Sequence, residues 1–375
     1  MILRFVSCYA MMGCIGAFFS TGCALQFDRY GLEGVSFVLD KPIEPPGERS
    51  ARKPVRCNGA PFIRPPTEGE DTLIDVVHEM NFEGEEWRID LQVSKYLYRA
   101  TLASLARCDF DDLEQISIYY QKFTEQPAMT DFCDRILSPL REIRQQRAFD
   151  DATWARFIVR FVQSFGYCDQ ITGAPKPPVA TVVEGCGDCD EKSVLLAGLL
   201  AAENYDVALF MFEDHMAVGL GTEGEGFSGT AYLYAEAAVI TRVGPPDNLL
   251  TTKPLLSLIP IGTGTIRMKP TDSDARIEEI AKEVLEKYTS HKGNINETSI
   301  SRFDGITISM KNVVAAKASI QRHTARISHS EKMYLVYACI LKYIIYSPHS
   351  EADTLKWLEE MTAWAAELEA RSDED

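Results

Sequence analysis

Positive charge is scarce in this chain: 38 Lys and Arg stand against 55 Asp and Glu, for a formal net charge of −17. Nucleic acid is held by Lys and Arg that neutralise its phosphates, so a surface this acidic repels it and no nucleic-acid partner is expected. Internal repeats are absent too. Apolar residues are not in short supply. With 375 residues, 46% of them hydrophobic, the chain can fill one large core plus an appended layer, or two modest domains. Neither needs a metal or a disulfide to fold.

Near the N-terminus Arg4 is followed by the uncharged run FVSCYAMMGCIGAFF, then by Ser20, Thr21 and Gly22 before Cys23. A basic start, an apolar stretch and small residues read as an export signal over residues 1–22. The segment STGC resembles a bacterial lipobox, with Ser20 where that motif usually has a branched aliphatic residue. The resemblance implies that Cys23 is lipidated and begins the mature protein. The rival is an uncleaved anchor, since Phe5 to Leu25 is long enough to span a bilayer core at about 1.5 Å per residue. A buried N-terminal helix ranks third, because core helices are seldom so uniformly apolar. The first two readings make the protein extracytoplasmic and membrane-associated. There Cys57, Cys108, Cys133, Cys168, Cys186, Cys189 and Cys339 can form lasting disulfides. Their number is odd, so at least one thiol stays free, and the pairing cannot be read from spacing.

From residue 23 to 70 Pro, Gly and Arg recur without a sustained period, as in a spacer between membrane and folded body. Apolar residues three or four apart then predict helices over Tyr96–Leu105, Leu113–Phe123, Phe132–Ile143 and Trp154–Phe165. Asp131 and Asp150 or Asp151 are candidate N-caps. The alternation of Trp87, Ile89, Leu91 and Val93 fits a strand or the start of the next helix equally well. Pro and Gly interrupt every pattern between Tyr167 and Thr181, which reads as loop. After Cys189 comes an apolar helix ending near Asn204, then strands over Val207–Phe212, Met216–Leu220 and Ala231–Ala235. Helices followed by an antiparallel sheet make an α+β layout rather than alternating βαβ. From about Pro270 helical periodicity returns over Ala275–Tyr288, Ile306–Ile320, Glu331–Tyr346 and Leu355–Leu368. The expected organisation is one domain over 71–270 and a helical C-terminal extension over 271–375, packed on the sheet.

The segments GDCDEKSVLLAGLL, NYDVALFMF and HMAVGL follow one another between Gly187 and Leu220. FVQSFGY (Phe161 to Tyr167) precedes them, with Pro177 and Pro178 in the intervening loop, and AYLYAEA comes after. In this order they resemble the core of bacterial and archaeal transglutaminase-like domains, over roughly Trp154 to Ala238 and neither end of the chain. The resemblance implies a papain-like core, in which a nucleophile helix packs on an antiparallel sheet. It also implies a catalytic triad of Cys189, His215 and Glu236. Asp is common at the third place, and Glu is also found there.

The residue types suit that chemistry. Gly185, Gly187 and Asp188 predict a turn into a helix beginning at Cys189, where the positive end of the helix dipole favours the thiolate. His215 opens a strand that can bring its imidazole to the helix terminus as general base, and Glu236 on the following strand can hold the histidine tautomer. Of the other nearby acids, Asp214 would point to the opposite face of a strand from His215, leaving Asp206 and Glu213 as rivals. Asp190 and Glu191 serve the helix N-terminus. Candidate oxyanion donors are the Cys189 amide and the side chains of Gln163 and Tyr167.

A lone Cys at a helix start is more often a buried small hydrophobe and a lone His more often a core residue, so the ordered set of three carries the assignment. Cys186 makes a C-x-x-C pair with Cys189. Zinc would need two more ligands, with only Cys168 and His215 near, and thioredoxin-like chemistry would need a βαβ unit. A structural Cys186, free or paired with Cys168, is the preferred reading, with a reversible Cys186–Cys189 disulfide as a redox alternative. Neither metal nor cofactor is called for. The resemblance implies cysteine-dependent hydrolysis or transamidation of a protein or peptide substrate through a thioester. The competing class is a non-catalytic binding or assembly module that keeps the fold.

Overall fold

The structure, a computed structural model, describes residues 24–27, 35–38, 63, 72–105, 120–121, 124–168, 177–213, 215–244, 255–295, 308, 312–347 and 349–371. The export signal over 1–22, the lipidation candidate Cys23, Cys57, Cys108, Asp214 and most of the helix expected over Leu113–Phe123 lie outside them. Within the stretch read as a spacer, β1 (Ala24–Phe27) and β2 (Val35–Val38) pair antiparallel. The chain divides into two compact units, one mainly Glu48–Gly244 with Lys253–Lys269, the other mainly Pro270–Asp375. The architecture is α+β with small antiparallel sheets.

The first unit begins with a hairpin, β3 (Leu73–Phe82) and β4 (Glu85–Ser94), so the undecided alternation at Trp87–Val93 is a strand. Its turn explains the register. Glu83 and Gly84 both have positive φ, 51° and 82°, the backbone of a two-residue turn whose twist matches the strands it joins. Period-two alternation then puts His78, Met80, Phe82, Ile89, Leu91 and Val93 on the buried face. Among the described residues the helices α1 (Lys95–Leu105), α2 (Pro127–Arg147) and α3 (Asp151–Gln163) follow. Asp150 caps α3 by accepting the Thr153 amide at 2.8 Å, as expected from its place before the apolar run. Asp131 is no cap. It lies inside α2, which starts earlier because Pro127 has its φ preset for the first turn and no N–H to leave unsatisfied. Phe157 of α3 takes the edge contacts of Phe82 and Trp87, at 5.1 and 5.6 Å between centroids, so the hairpin seals this helix.

The chain forms β5 (Gly166–Tyr167), and the end of the segment expected to be loop up to Thr181 is instead the start of the helix α4 (Pro178–Glu184). Pro177 and Pro178 break no pattern here, since they stand at the start of the helix rather than within it. Gly185 ends α4 at φ 71°, a conformation that favours glycine. The chain then forms β6 (Cys186–Gly187), parallel to β5, and enters α5 (Cys189–Ala202). Val194 to Ala197, Leu199 and Leu200 are buried all round, as in a central helix. Helices α2, α3 and α4 pack on α5, as does the sheet β10–β7–β8–β9. Strands β7 (Val207–Met211), β8 (Met216–Gly221) and β9 (Tyr232–Ala235) match expectation within one residue at each end, while β10 (Ser257–Ile261), whose Pro260 masks its pattern, was not foreseen. At the far end of α5, Glu203 accepts from Trp154 Nε1 and Arg141 Nε, each at 2.7 Å, and ties it to α2 and α3.

The second unit is helical: α6 (Asp272–Gly293), α7 (Val313–Thr324), α8 (His329–Tyr346) and α9 (Glu351–Ala370). Capping boxes start α6 at Thr271 and α8 at Ser328. Helix α8 is buried from Met333 to Tyr346, so these helices enclose a hydrophobic core of their own rather than only adding a layer to another. Among the described residues no helix is long and apolar enough to cross a membrane.

Candidate active site

Cys189 is the first residue of α5. Asp188, its N-cap, accepts the amides of Asp190 and Glu191 at 3.1 Å each, while Glu191 Oε2 accepts the Asp188 amide at 3.2 Å. This capping box fixes where the helix begins, and so where the thiol stands. The turn before it is tight: a side-chain carbon at Gly187 would come within 3.0 Å of Glu191 Oε2 and 3.1 Å of Thr181. A Cys168–Cys186 disulfide, with Cα atoms 5.6 Å apart, staples the same turn to β5. Cys186 is therefore structural here, and the Cys186–Cys189 bond considered as a redox alternative is not the one formed.

His215 directly precedes β8, where the Phe212 amide bonds the His215 carbonyl at 2.9 Å and closes the β7–β8 hairpin. Glu236 directly follows β9. The two side chains meet, His215 Nε2 lying 3.0 Å from Glu236 Oε2. Alternation along β9 puts Tyr234 on the same face as Glu236, and its hydroxyl donates to the same Oε2 at 2.7 Å, 3.1 Å from His215 Nε2. Glu236 Oε1 accepts two amides, Ala237 at 3.0 Å and Ala238 at 2.7 Å. Burial alone would push the Glu236 carboxyl up; the His215 imidazole, then the Tyr234 hydroxyl and the Ala238 amide, outweigh it and hold its pKa below the ordinary value. An ionised acceptor bonded to Nε2 makes Nε2 the protonated nitrogen and places the imidazole lone pair on Nδ1. The imidazole also stacks on Phe212 at 6.0 Å.

Helix and sheet converge at two points. Ser193, one turn beyond Cys189, donates to the Met216 carbonyl at 3.1 Å, next to His215. Cys189 packs on Ala238, whose amide supports Glu236. The thiol donates to Asp190 Oδ1 at 3.3 Å, so Asp190 is a direct partner of the candidate nucleophile and more than a helix-terminus charge.

Gln163 does not serve as an oxyanion donor in this arrangement. Its Nε2 donates to the carbonyls of Glu236 at 2.9 Å and Thr241 at 3.0 Å, which engages both N–H groups in holding the strand that bears the acid. Tyr167 stands exposed in β5 beside Gly187, its register partner. Of the rival acids, Asp206 accepts from Tyr232 at 3.0 Å and pairs with Arg267 at 3.3 Å, away from the imidazole bond.

Tyr234 and Lys192 escaped the sequence reading. Tyr234 was legible in principle, two residues before Glu236 on a strand. For Lys192 the signal was a single cation among apolar residues of a buried helix. His78 was missed as well: it bonds Ser164 Oγ at 2.7 Å, stacks on Phe165 at 4.0 Å, and is lowered to about 4, chiefly by burial. Among the described residues no three His, Cys, Asp or Glu side chains gather as metal ligands. Cys168 and Cys186, two of the four zinc ligands considered, are spent on their disulfide. No family model, no curated protein and no solved structure matches the chain.

Proposed function

We propose that the chain is a cysteine-dependent acyl-transfer enzyme of transglutaminase-like type, acting on peptide or amide bonds outside the cytoplasm and held at the membrane by Cys23 or by an N-terminal anchor. The observation that carries this reading is the His215–Glu236 pair, buried, supported by Tyr234 and two amides, and linked through Ala238 to a thiol at a capped helix start. In the proposed cycle His215 Nδ1 takes the Cys189 proton and the thiolate attacks the substrate carbonyl. The imidazolium then protonates the leaving amine, which leaves a thioester. Water, deprotonated by the same imidazole, attacks the thioester and yields the free acid and the thiol. Hydrolysis is preferred to transamidation because water is the abundant acceptor. The Cys168–Cys186 disulfide supports an oxidising compartment.

One observation favours the second reading, a binding module that keeps the fold: Cys189 is only 6% exposed and its thiol is bonded to Asp190. Iodoacetamide below pH 7 separates the two. Selective alkylation of Cys189, sparing Cys133 and Cys339, is expected of the enzyme; both of those thiols are buried and pushed up to about 12 by desolvation. A Cys189 no more reactive than these two sinks the catalytic reading.

A further inference from the structure

Lys192 is fully buried in α5, one helical turn after Cys189. Its Nζ donates to three backbone carbonyls: Gln163 at 3.1 Å, Phe165 at 2.8 Å and Ala238 at 2.9 Å. Three N–H bonds to three carbonyls match what an ammonium offers. The acceptors come from the two chain segments that complete the site, the end of α3 with the turn after it, and the residues just beyond Glu236. Ala238 joins them: its carbonyl holds Lys192, its amide holds Glu236 Oε1, and it packs on Cys189.

Charge gives this tether a second role. Asp190 Oδ1 lies 3.3 Å from the Cys189 sulfur, and Glu191 and Glu236 are completely buried close by. Three buried carboxylates oppose ionisation of a neighbouring thiol. The titratable and charged groups around the site are Asp188, Asp190, Glu191 and Lys192 on the helix of Cys189 and its cap, and His215, Tyr234 and Glu236 on the sheet side; His78 of β3 stacks on Phe165. Lys192 is the buried cation of this set, and its charge reaches far enough to lower His78.

We propose that Lys192 is the positioning residue of the site, fastening the nucleophile helix to the strand end that bears Glu236 and supplying the positive charge that stabilises the Cys189 thiolate. This rests on the reading of Cys189 as nucleophile. The test is the pH dependence of Cys189 alkylation by iodoacetamide, which requires no substrate, in wild type, Lys192→Met and Lys192→Gln, with His215→Ala as reference. Lys192→Met removes tether and charge; Lys192→Gln removes the charge and keeps two of the three N–H donors. Both are expected to move the alkylation midpoint upward by about one unit or more, a tenfold loss of thiolate at fixed pH. A lowered melting temperature with an unmoved midpoint in either variant overturns the proposal and leaves Lys192 structural. Should neither variant fold, the 15N shift of Lys192 Nζ in the wild type decides: an ammonium at pH 7 supports the proposal, a neutral amine overturns it. A wild-type Cys189 with an ordinary thiol midpoint fails the nucleophile reading itself, a result separate from any effect of Lys192.

Discussion

Each unit of this protein holds a histidine bonded to a glutamate, and the two pairs have nearly the same length: 3.0 Å between His215 and Glu236, 3.1 Å between His291 and Glu369. Their surroundings differ. Glu236 is fully buried, and besides His215 it takes a tyrosine hydroxyl and two amides, donors fixed by β9 and the residues after it. Glu369 keeps a quarter of its side chain in solvent and, besides His291, accepts from Lys287 Nζ at 2.9 Å and from Tyr337. In the first pair the carboxylate bonds the imidazole, a hydroxyl and two amides; in the second a lysine pairs with it whatever the imidazole does. A His–Glu bond alone is therefore weak evidence for chemistry. Rigid donors, complete burial and a thiol held through Ala238 distinguish the first.

Substitution at the first pair tests that distinction most severely. Under the proposed mechanism Cys189→Ala and His215→Ala each lower thiol-dependent ester hydrolysis by roughly 10⁴-fold or more while the fold persists, whereas His291→Ala leaves the rate within about twofold. Far-ultraviolet circular dichroism checks the fold and p-nitrophenyl acetate serves as the acyl donor. Residual activity in Cys189→Ala above the uncatalysed rate removes the thioester route.

Glu236→Gln comes next. An amide in place of the carboxylate keeps the volume but no longer fixes the proton on Nε2, so kcat is expected to fall by roughly 10²-fold to 10⁴-fold. Glu236 also links the site to pH. Its folded pKa lies below 4.5, so the stability it contributes is present above that value and is lost as acid titrates the native carboxylate. Wild-type activity in Glu236→Gln would mean that another group orients His215.

Legibility followed the same divide between local pattern and long-range support. The turn into α5 and the strands β7 to β9 could be read because they rest on short-range signals, a Gly-Asp turn and continuous apolar runs, while the pairing of His215 with Glu236 was implied by the resemblance of the segments around them. Asp131 misled because a helix start was judged from an acidic residue, while Pro127 set the true first turn. The β3–β4 hairpin stayed half hidden because its turn, Glu83–Gly84, lacks the Asn or Asp that usually announces one. Lys192 and Gln163 show the limit. Their roles lie in carbonyls far apart in sequence, and no periodicity records which carbonyl a buried side chain will find.

Acid should separate the units in stability, because the first carries a histidine that must stay neutral. His78 protonates near 6.5 in the unfolded chain but only near 4 in the fold, where burial opposes its charge. Between those values the unfolded chain binds the additional proton, so native stability falls as the pH drops from about 6.5 to 4, by about 3 kcal/mol from this group. Urea unfolding across that range measures the slope, and His78→Gln is expected to flatten it. An unchanged slope would assign the acid sensitivity to other groups.

The smallest effect belongs to the second pair and completes the comparison. Glu369 sits below its ordinary pKa: burial would raise it, but Lys287, His291 and Tyr337 donate to it and prevail. With a quarter of the side chain in solvent, water screens these interactions. Glu369→Gln and His291→Ala are each expected to cost about 1 kcal/mol in urea unfolding and to leave ester hydrolysis and Cys189 alkylation unchanged. The loss from Glu369→Gln should shrink as the pH falls below 4.5 and through the lowered folded pKa of Glu369, since a protonated Glu369 has already given up the charge that Lys287 pairs with. A tenfold fall in hydrolysis in either variant at full fold would break the comparison, because the second pair would then share in the chemistry assigned to the first.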